Sequence, residues 1–187
     1  MKTKIFLLTA IIITMFGVNS AAQNKSAQKK VLIAYFSRSG NTRTLANQIK
    51  DITNGDIFEI QMSKAYPEEY SACTEVAKRD KETNARPELK AKVHNLDTYD
   101  VVFIGYPNWW GTAPMIIWTF MESHNLSGKT LIPFCTHGGG GEQNCFTDLA
   151  DHAGKADILK GFTVSGSRAK SVKPQIESWL HEIGIVK

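Results

Sequence analysis

Five times after residue 30, a short apolar run gives way to a stretch with helical spacing. That alternation constrains the fold more than any single motif. The runs are Val31–Phe36, Asp56–Gln61, Val101–Gly105, Thr130–Cys135 and Ile158–Val164. Val31–Phe36 is the compact apolar kind expected of a strand buried on both faces. The helical stretches are Asn41–Asp51, Glu68–Lys81, Pro114–Ser123, a segment near Gln143–His152, and Ser171–Ile183. In the first of these, Leu45, Ile49 and Ile52 fall on one stripe. Ser171 is read as the last helix's N-cap, with Pro174 in its first turn and Gly184 after its end. Strand–helix alternation of this kind gives a parallel sheet with helices on both faces: a doubly wound, five-stranded, three-layer α/β/α architecture.

The chain has 187 residues, and its first 22 read as a secretory signal. Lys2 and Lys4 supply a positive start. Ile5 to Val18 is largely apolar, and Ser20-Ala21-Ala22 offers small residues for cleavage. The 14 residues from Ile5 to Val18 are too few to span a bilayer comfortably. Cleavage after Ala22 leaves 165 of the 187 residues, the size of one domain, and lowers the formal charge from +4 to +2. Residues 23–30 form a polar, flexible lead-in to a domain spanning 31–187. A periplasmic or secreted location follows, with no stable membrane insertion after signal removal. The basic residues are scattered, and no nucleic-acid patch stands out.

Ligands of such sheets bind beyond the carboxyl ends of the strands, at the switch point of strand order. Three unusual loops are expected there. The first, Ser37-Arg38-Ser39-Gly40-Asn41-Thr42, follows a strand and opens a helix. It gathers three hydroxyls, backbone N–H groups and the positive end of a helix dipole, which is what a phosphate needs. It lacks the Gly-Lys-Ser/Thr of a Walker loop and the multiple glycines of a dinucleotide fingerprint, and suits a terminal phosphate monoester. The second, Tyr106-Pro107-Asn108-Trp109-Trp110-Gly111-Thr112, places two adjacent indoles on a loop. One is expected to plug the core and the other to face a planar ligand. Trp118 and Trp179 sit at helical spacing and read as core. The third, Thr136-His137-Gly138-Gly139-Gly140-Gly141, offers N–H donors without side chains in the way.

A phosphate at one end and a planar, hydrogen-bonding ring at the other describe flavin mononucleotide, FMN. The His and Cys residues lack metal-ligand spacing, and no Gly-x-Ser-x-Gly elbow follows a strand. His94, His124, His152 and His181 do not cluster and read as surface residues. Of Cys73, Cys135 and Cys145, only the last two are close enough in sequence to suggest a pair. Buried or free thiols are the simpler reading.

From about Val31 to the last helix the chain resembles the flavodoxins, in particular those with a Tyr-Pro-x-Trp-Trp-Gly-Thr loop. Ser37, Ser39, Gly40 and Thr42 match the family's phosphate loop, with Arg38 and Asn41 in its free positions. The resemblance implies a flavodoxin-like sheet and bound FMN. It also implies an aromatic stacked on the flavin ring, Trp109 being the first choice and Trp110 the second. Pro107 and Asn108 lie beside them, and Thr136, His137, Gly138 and Gly139 border the ring. It further implies a peptide flip at Gly111 that turns the Trp110 carbonyl toward the flavin. No residue is assigned a catalytic role. The function so implied is electron transfer in the periplasm with an unidentified redox protein partner, as monomer or dimer. The alternatives are an NAD(P)H-dependent quinone or flavin reductase on the same fold, and a binding module without redox activity. The chain departs from flavodoxins in charge, since those are usually acidic and dock partners through that field.

Overall fold

In the computed structural model, which describes Lys29–Lys187, every ladder of the main sheet is parallel. The expected signal, Met1–Ala22, and most of the lead-in lie outside the described residues. The elements are β1 (Val31–Tyr35), α1 (Asn41–Thr53), β2 (Asp56–Glu59), α2 (Tyr70–Glu82), β3 (Val101–Pro107), α3 (Met115–Glu122), β4 (Thr130–His137), α4 (Cys145–His152), β5 (Asp157–Ile158), β6 (Phe162–Ser165) and α5 (Lys173–Glu182). Strand order is β2-β1-β3-β4, and β5 and β6 lie one after the other along the free edge of β4. They make up one interrupted fifth strand where the sequence suggests a continuous Ile158–Val164.

Pro133 accounts for the interruption. Asp157 N–H donates to Lys129 C=O at 2.9 Å and Leu159 N–H to Leu131 C=O at 3.0 Å. The odd-numbered residues of this strand therefore direct their backbone groups to the fifth strand. At Pro133 that edge has no N–H to offer, and the ladder breaks beside it.

Alternation along the strands sorts the core into two layers. Val31, Ile33, Tyr35, Val101, Phe103, Ile132 and Phe134 face α1 and α5, where Leu45, Ile49, Ile176 and Trp179 meet them. Leu32, Ala34, Val102, Ile104, Tyr106, Leu131 and Cys135 face the opposite layer, which includes Ile116, Ile117, Trp118 and Phe120 of α3 and Cys145 and Leu149 of α4. Trp118 and Trp179 are buried, as their spacing suggests. Gly105, in the middle of β3, is required by packing: the Phe134 ring occupies the space a Cβ there would take.

Two local expectations are corrected. Ser171 does not cap α5. It lies in the 3₁₀ turn Gly166–Ser171, its hydroxyl donates to the Arg168 carbonyl, and Val172 precedes the helix. His124 is not a simple surface residue. It is half-buried, its Nε2 accepts from Val93 N–H at 3.1 Å, and Nδ1 lies 2.7 Å from Phe120 C=O. Burial lowers its pKa from the ordinary value.

Strand order reverses direction between β1 and β3. The crevice outside their carboxyl ends is where the loops following β1, β3 and β4 meet.

Candidate functional site

The first loop is built locally. Gly40 caps α1 with φ 88°, a left-handed conformation that glycine adopts without strain. Ser37 Oγ accepts from Gly40 N–H at 3.2 Å, and Gly40 C=O accepts from the Thr44 amide at 2.9 Å. These bonds turn the chain sharply into a 13-residue helix whose first turn carries no acidic side chain. The helix N-terminus is thus left positive, with no carboxylate to neutralise it. Nothing occupies the space beside the Gly40 Cα. Arg43 is engaged elsewhere, ion-paired with Glu59.

Arg38 points along the surface. Its guanidinium donates to Glu68 C=O at 2.6 Å and lies over the Tyr70 ring. Asn41 lies against Gly166, at a point where a Cβ would collide with its side-chain amide. That contact joins the start of α1 to the loop after β6. Thr42 is buried, and its hydroxyl is 2.9 Å from the equally buried hydroxyl of Thr136. The first and third loops meet at this pair.

The second loop is a two-residue hairpin turn. Trp109 and Thr112 exchange backbone bonds of 2.9 and 3.2 Å, and both central residues have positive φ: 56° at Trp110 and 85° at Gly111. This is the primed geometry of tight hairpins, natural for Gly111 but costly for an indole-bearing residue. Helix α2 holds Trp110 there. The indole Nε1–H donates to Thr74 C=O at 3.2 Å, Lys81 Nζ donates to the Trp110 carbonyl at 2.5 Å, and Lys78 Nζ lies over the ring at 5.6 Å. The Trp110 carbonyl is therefore directed at α2.

The two indoles differ in packing: Trp109, the first choice for stacking on a ring, is the one that packs toward the core. It packs edge-on against Phe36 and Tyr66, with ring centroids 5.5 and 5.1 Å away. Trp110 is 48% exposed and lines a cavity of about 730 Å³ with Asn108, Gly111, His137, Gly138 and Gln143. A second cavity, about 270 Å³, opens on the other side of Trp110 between Arg38, Tyr70 and Trp109.

The third loop is stitched to the second. Asn108 N–H continues the sheet to Thr136 C=O at 2.7 Å. Its side-chain amide donates to Gly141 C=O at 2.8 Å and to Gln143 Oε1 at 3.1 Å, and its Oδ1 accepts from Gly111 N–H at 3.0 Å. Asn144 N–H donates to Gly111 C=O at 3.0 Å, and the Thr112 hydroxyl donates to Asp148 at 2.5 Å. His137 folds onto its own loop: Nδ1 accepts from Gly139 N–H at 3.0 Å, so the ring proton sits on Nε2 when the imidazole is neutral. Gly138 and Gly139 are exposed, with open space around their Cα atoms.

Every residue expected to bind the ligand thus lies on the three loops at the carboxyl ends of β1, β3 and β4. Sequence reasoning passed over Gln143, Asn144, Asp148 and Lys81, which fix the shape of the second and third loops. None belongs to a motif. Gln143 has a positive φ of 48°, and residue type alone does not disclose that.

The cradle and the cavity are neighbours in the fold: Thr42 contacts Thr136, which directly precedes cavity-lining His137. A helix N-terminus with no side-chain cap beside a cavity of this size fits an elongated ligand with a phosphate tail and a planar head.

Comparisons with known proteins agree with this geometry. A family model described as flavodoxin matches residues 30–183. A crystal structure of a candidate flavoprotein from Bacteroides eggerthii is 36% identical and superposes with a TM-score of 0.73, covering 85% of this chain and 99% of that one. A candidate flavoprotein from Bacteroides uniformis is 34% identical, with a TM-score of 0.69, covering 80% and 98%. A flavoprotein from Lactobacillus acidophilus, solved in complex with FMN, shares the fold at 22% identity and a TM-score of 0.66, covering 81% and 98%. No curated protein matches the chain significantly. A family match over almost the whole described chain means that the chain belongs to the flavodoxin family.

Proposed function

We propose that the protein binds FMN at this edge of the sheet and passes electrons between the flavin and a redox protein partner outside the cytoplasm. The observation that carries the reading is the Gly40-capped helix N-terminus, with Thr42 in contact with Thr136 at the start of the loop that lines the neighbouring cavity. The first loop holds the phosphate: the amides at the start of α1 donate to it, and Ser37, Ser39 and Thr42 supply hydroxyls. Trp110, exposed at the cavity, offers the flat face for the ring, while Trp109 supports the loop from behind. His137 and the amides of Gly138 and Gly139 border the ring's polar edge. FMN, when bound, supplies the redox chemistry, and the protein's part is to hold it and set its surroundings. The signal-like start of the chain supports export, and the FMN complex of the Lactobacillus relative supports the cofactor.

One observation favours a second reading. The 270 Å³ cavity beside Trp110, lined by Arg38 and Tyr70, has room for a small planar substrate, as an NAD(P)H-dependent quinone or flavin reductase requires. Two measurements decide. Purification of the protein from the periplasm, with an absorption spectrum and flavin identification, is expected to yield FMN; a colourless protein that stays colourless with added FMN overturns the cofactor reading. Anaerobic mixing with NADPH is expected to leave the flavin oxidised. Rapid bleaching with turnover on a quinone replaces the carrier by the reductase.

A further inference from the structure

Behind the third loop two sulfurs touch. Cys135 is near the end of β4 and Cys145 is the first residue of α4. Both side chains are fully buried, and their Sγ atoms are 3.8 Å apart. The residues between them, Thr136 to Asn144, are the whole of the third loop, including Gly138–Gly141. The Tyr106 hydroxyl donates to the Cys145 carbonyl at 2.8 Å, which fixes the start of α4 against β3. Cys73, on α2, is the third free cysteine and takes no part in this pair. Two thiols in contact gain little beyond what two small apolar side chains would. Their position is the notable point: they bracket the one loop of the site that is rich in glycine and dear to order.

We propose that Cys135 and Cys145 form a disulfide in the exported protein, and that this bridge clasps the third loop in the shape that receives the flavin. The oxidising location and the effect on the cofactor rest on the reading given above; the contact between the two sulfurs does not. A disulfide donor, R–S–S–R, is the oxidant. One cysteine thiolate attacks a donor sulfur and expels R–S⁻, leaving a mixed disulfide. The second cysteine sulfur then attacks the protein sulfur of that mixed disulfide and expels the second R–S⁻. Two electrons pass from the cysteines to the donor, and their two protons end on two molecules of R–SH. In the folded protein the Cys145 sulfur and burial together push the Cys135 thiol far above its usual range, so it is a poor nucleophile there. The exchange therefore belongs to the folding chain, or to moments when the glycine loop is open. Once formed, the bridge is shielded from reductants.

The test uses the full chain, refolded with oxidised glutathione or with dithiothreitol, as wild type and as Cys73→Ser and Cys145→Ser variants. With the oxidant, wild type and Cys73→Ser are expected to lose about 2 Da and to yield a linked Cys135–Cys145 peptide. Amide exchange at Gly138–Gly141 is expected to slow, and FMN to bind about 3- to 10-fold tighter than in the reduced form. Cys145→Ser is expected to show none of these oxidant effects. Three free, alkylatable thiols in the oxidant-refolded wild type, Cys135 and Cys145 among them, overturn the bridge. A bridge that leaves loop exchange unchanged overturns the clasp. A bridge that slows exchange in a protein binding no FMN in either form supports the proposal and overturns the cofactor reading instead.

Discussion

The first loop and the paired second and third loops share one edge of the sheet but are built in opposite ways. Within the first, the turn itself is shaped by local bonds, Ser37 to Gly40 and Gly40 to Thr44, while Arg38, Asn41 and Thr42 tie it to Glu68, Gly166 and Thr136. The second and third hold each other across the sequence, from Asn108 to Gly141 and Gln143, from Gly111 to Asn144, and from Thr112 to Asp148. A locally built loop is preformed as soon as its helix folds. A cross-stitched pair needs both partners in place and loses its shape together. The end proposed to hold the phosphate is accordingly expected to be the more rigid one, and the paired loops the end where substitutions propagate.

The strongest test of this contrast is Asn108→Ala. It removes the bonds to Gly141 and Gln143 and frees the Gly111 amide, at roughly 1 kcal/mol each. A stability loss of about 2–3 kcal/mol is expected, lowering the melting temperature by about 5–10 °C, with FMN and riboflavin both binding less well. Loss of FMN affinity alone would assign Asn108 to the phosphate end and break the comparison. Next is Gly111→Ala, which forces a side chain to φ 85° and places its Cβ 3.3 Å from Gln143 Oε1. A cost of about 1–2 kcal/mol is expected in urea melts. Unchanged stability would mean that the turn relaxes independently of the third loop.

Lys81→Met is smaller. It removes the exposed bond to the Trp110 carbonyl, and a stability change under about 1 kcal/mol is expected. It also frees the carbonyl that the flavodoxin resemblance assigns to a flip toward the flavin. A shift in tryptophan emission is the expected readout, and unchanged emission would mean that Thr74 alone holds the indole. The smallest effect concerns α2, the helix that holds Trp110. Glu69 caps it, and hydrogen bonds from the Ser71 hydroxyl and the Ala72 and Ser71 amides push its pKa down to about 2. Its folded pKa lies below its unfolded value. The cap's stabilisation is therefore complete above the ordinary carboxylate range and fades as pH falls from about 4 toward 2. Protection of the first-turn amides of α2, corrected for the intrinsic pH dependence of exchange, is expected to fall across that window, and Glu69→Gln to abolish that fall. A dependence that survives the substitution would refute the role of the cap.

Legibility in the sequence followed the same division. The first loop could be read from its residues because its structure is local: a strand, a turn of small hydroxyl residues, and glycine at the cap. The strands could be read because a compact apolar run such as Val31–Phe36 or Val101–Gly105 is a property of each strand alone. What escaped lay between segments. The break in the fifth strand is caused by Pro133 on its neighbour, not by its own residues. Which indole plugs the core depends on the positive φ at Trp110, which α2 holds in place from about 30 residues away. The burial of His124 depends on the backbone of Val93, far from it in the sequence.

The account's central claim is that the rigid end of the site holds a phosphate. Titration of flavin-free protein with FMN and riboflavin, as wild type and as Thr42→Val, tests it most directly. Wild type is expected to bind FMN at least about 10-fold tighter than riboflavin, on the strength of a charged phosphate hydrogen-bonded at a helix N-terminus. Thr42→Val is expected to lose most of that preference while leaving riboflavin binding nearly unchanged. Equal affinity for the two flavins in the wild type, or equal losses for both in the variant, would contradict the claim.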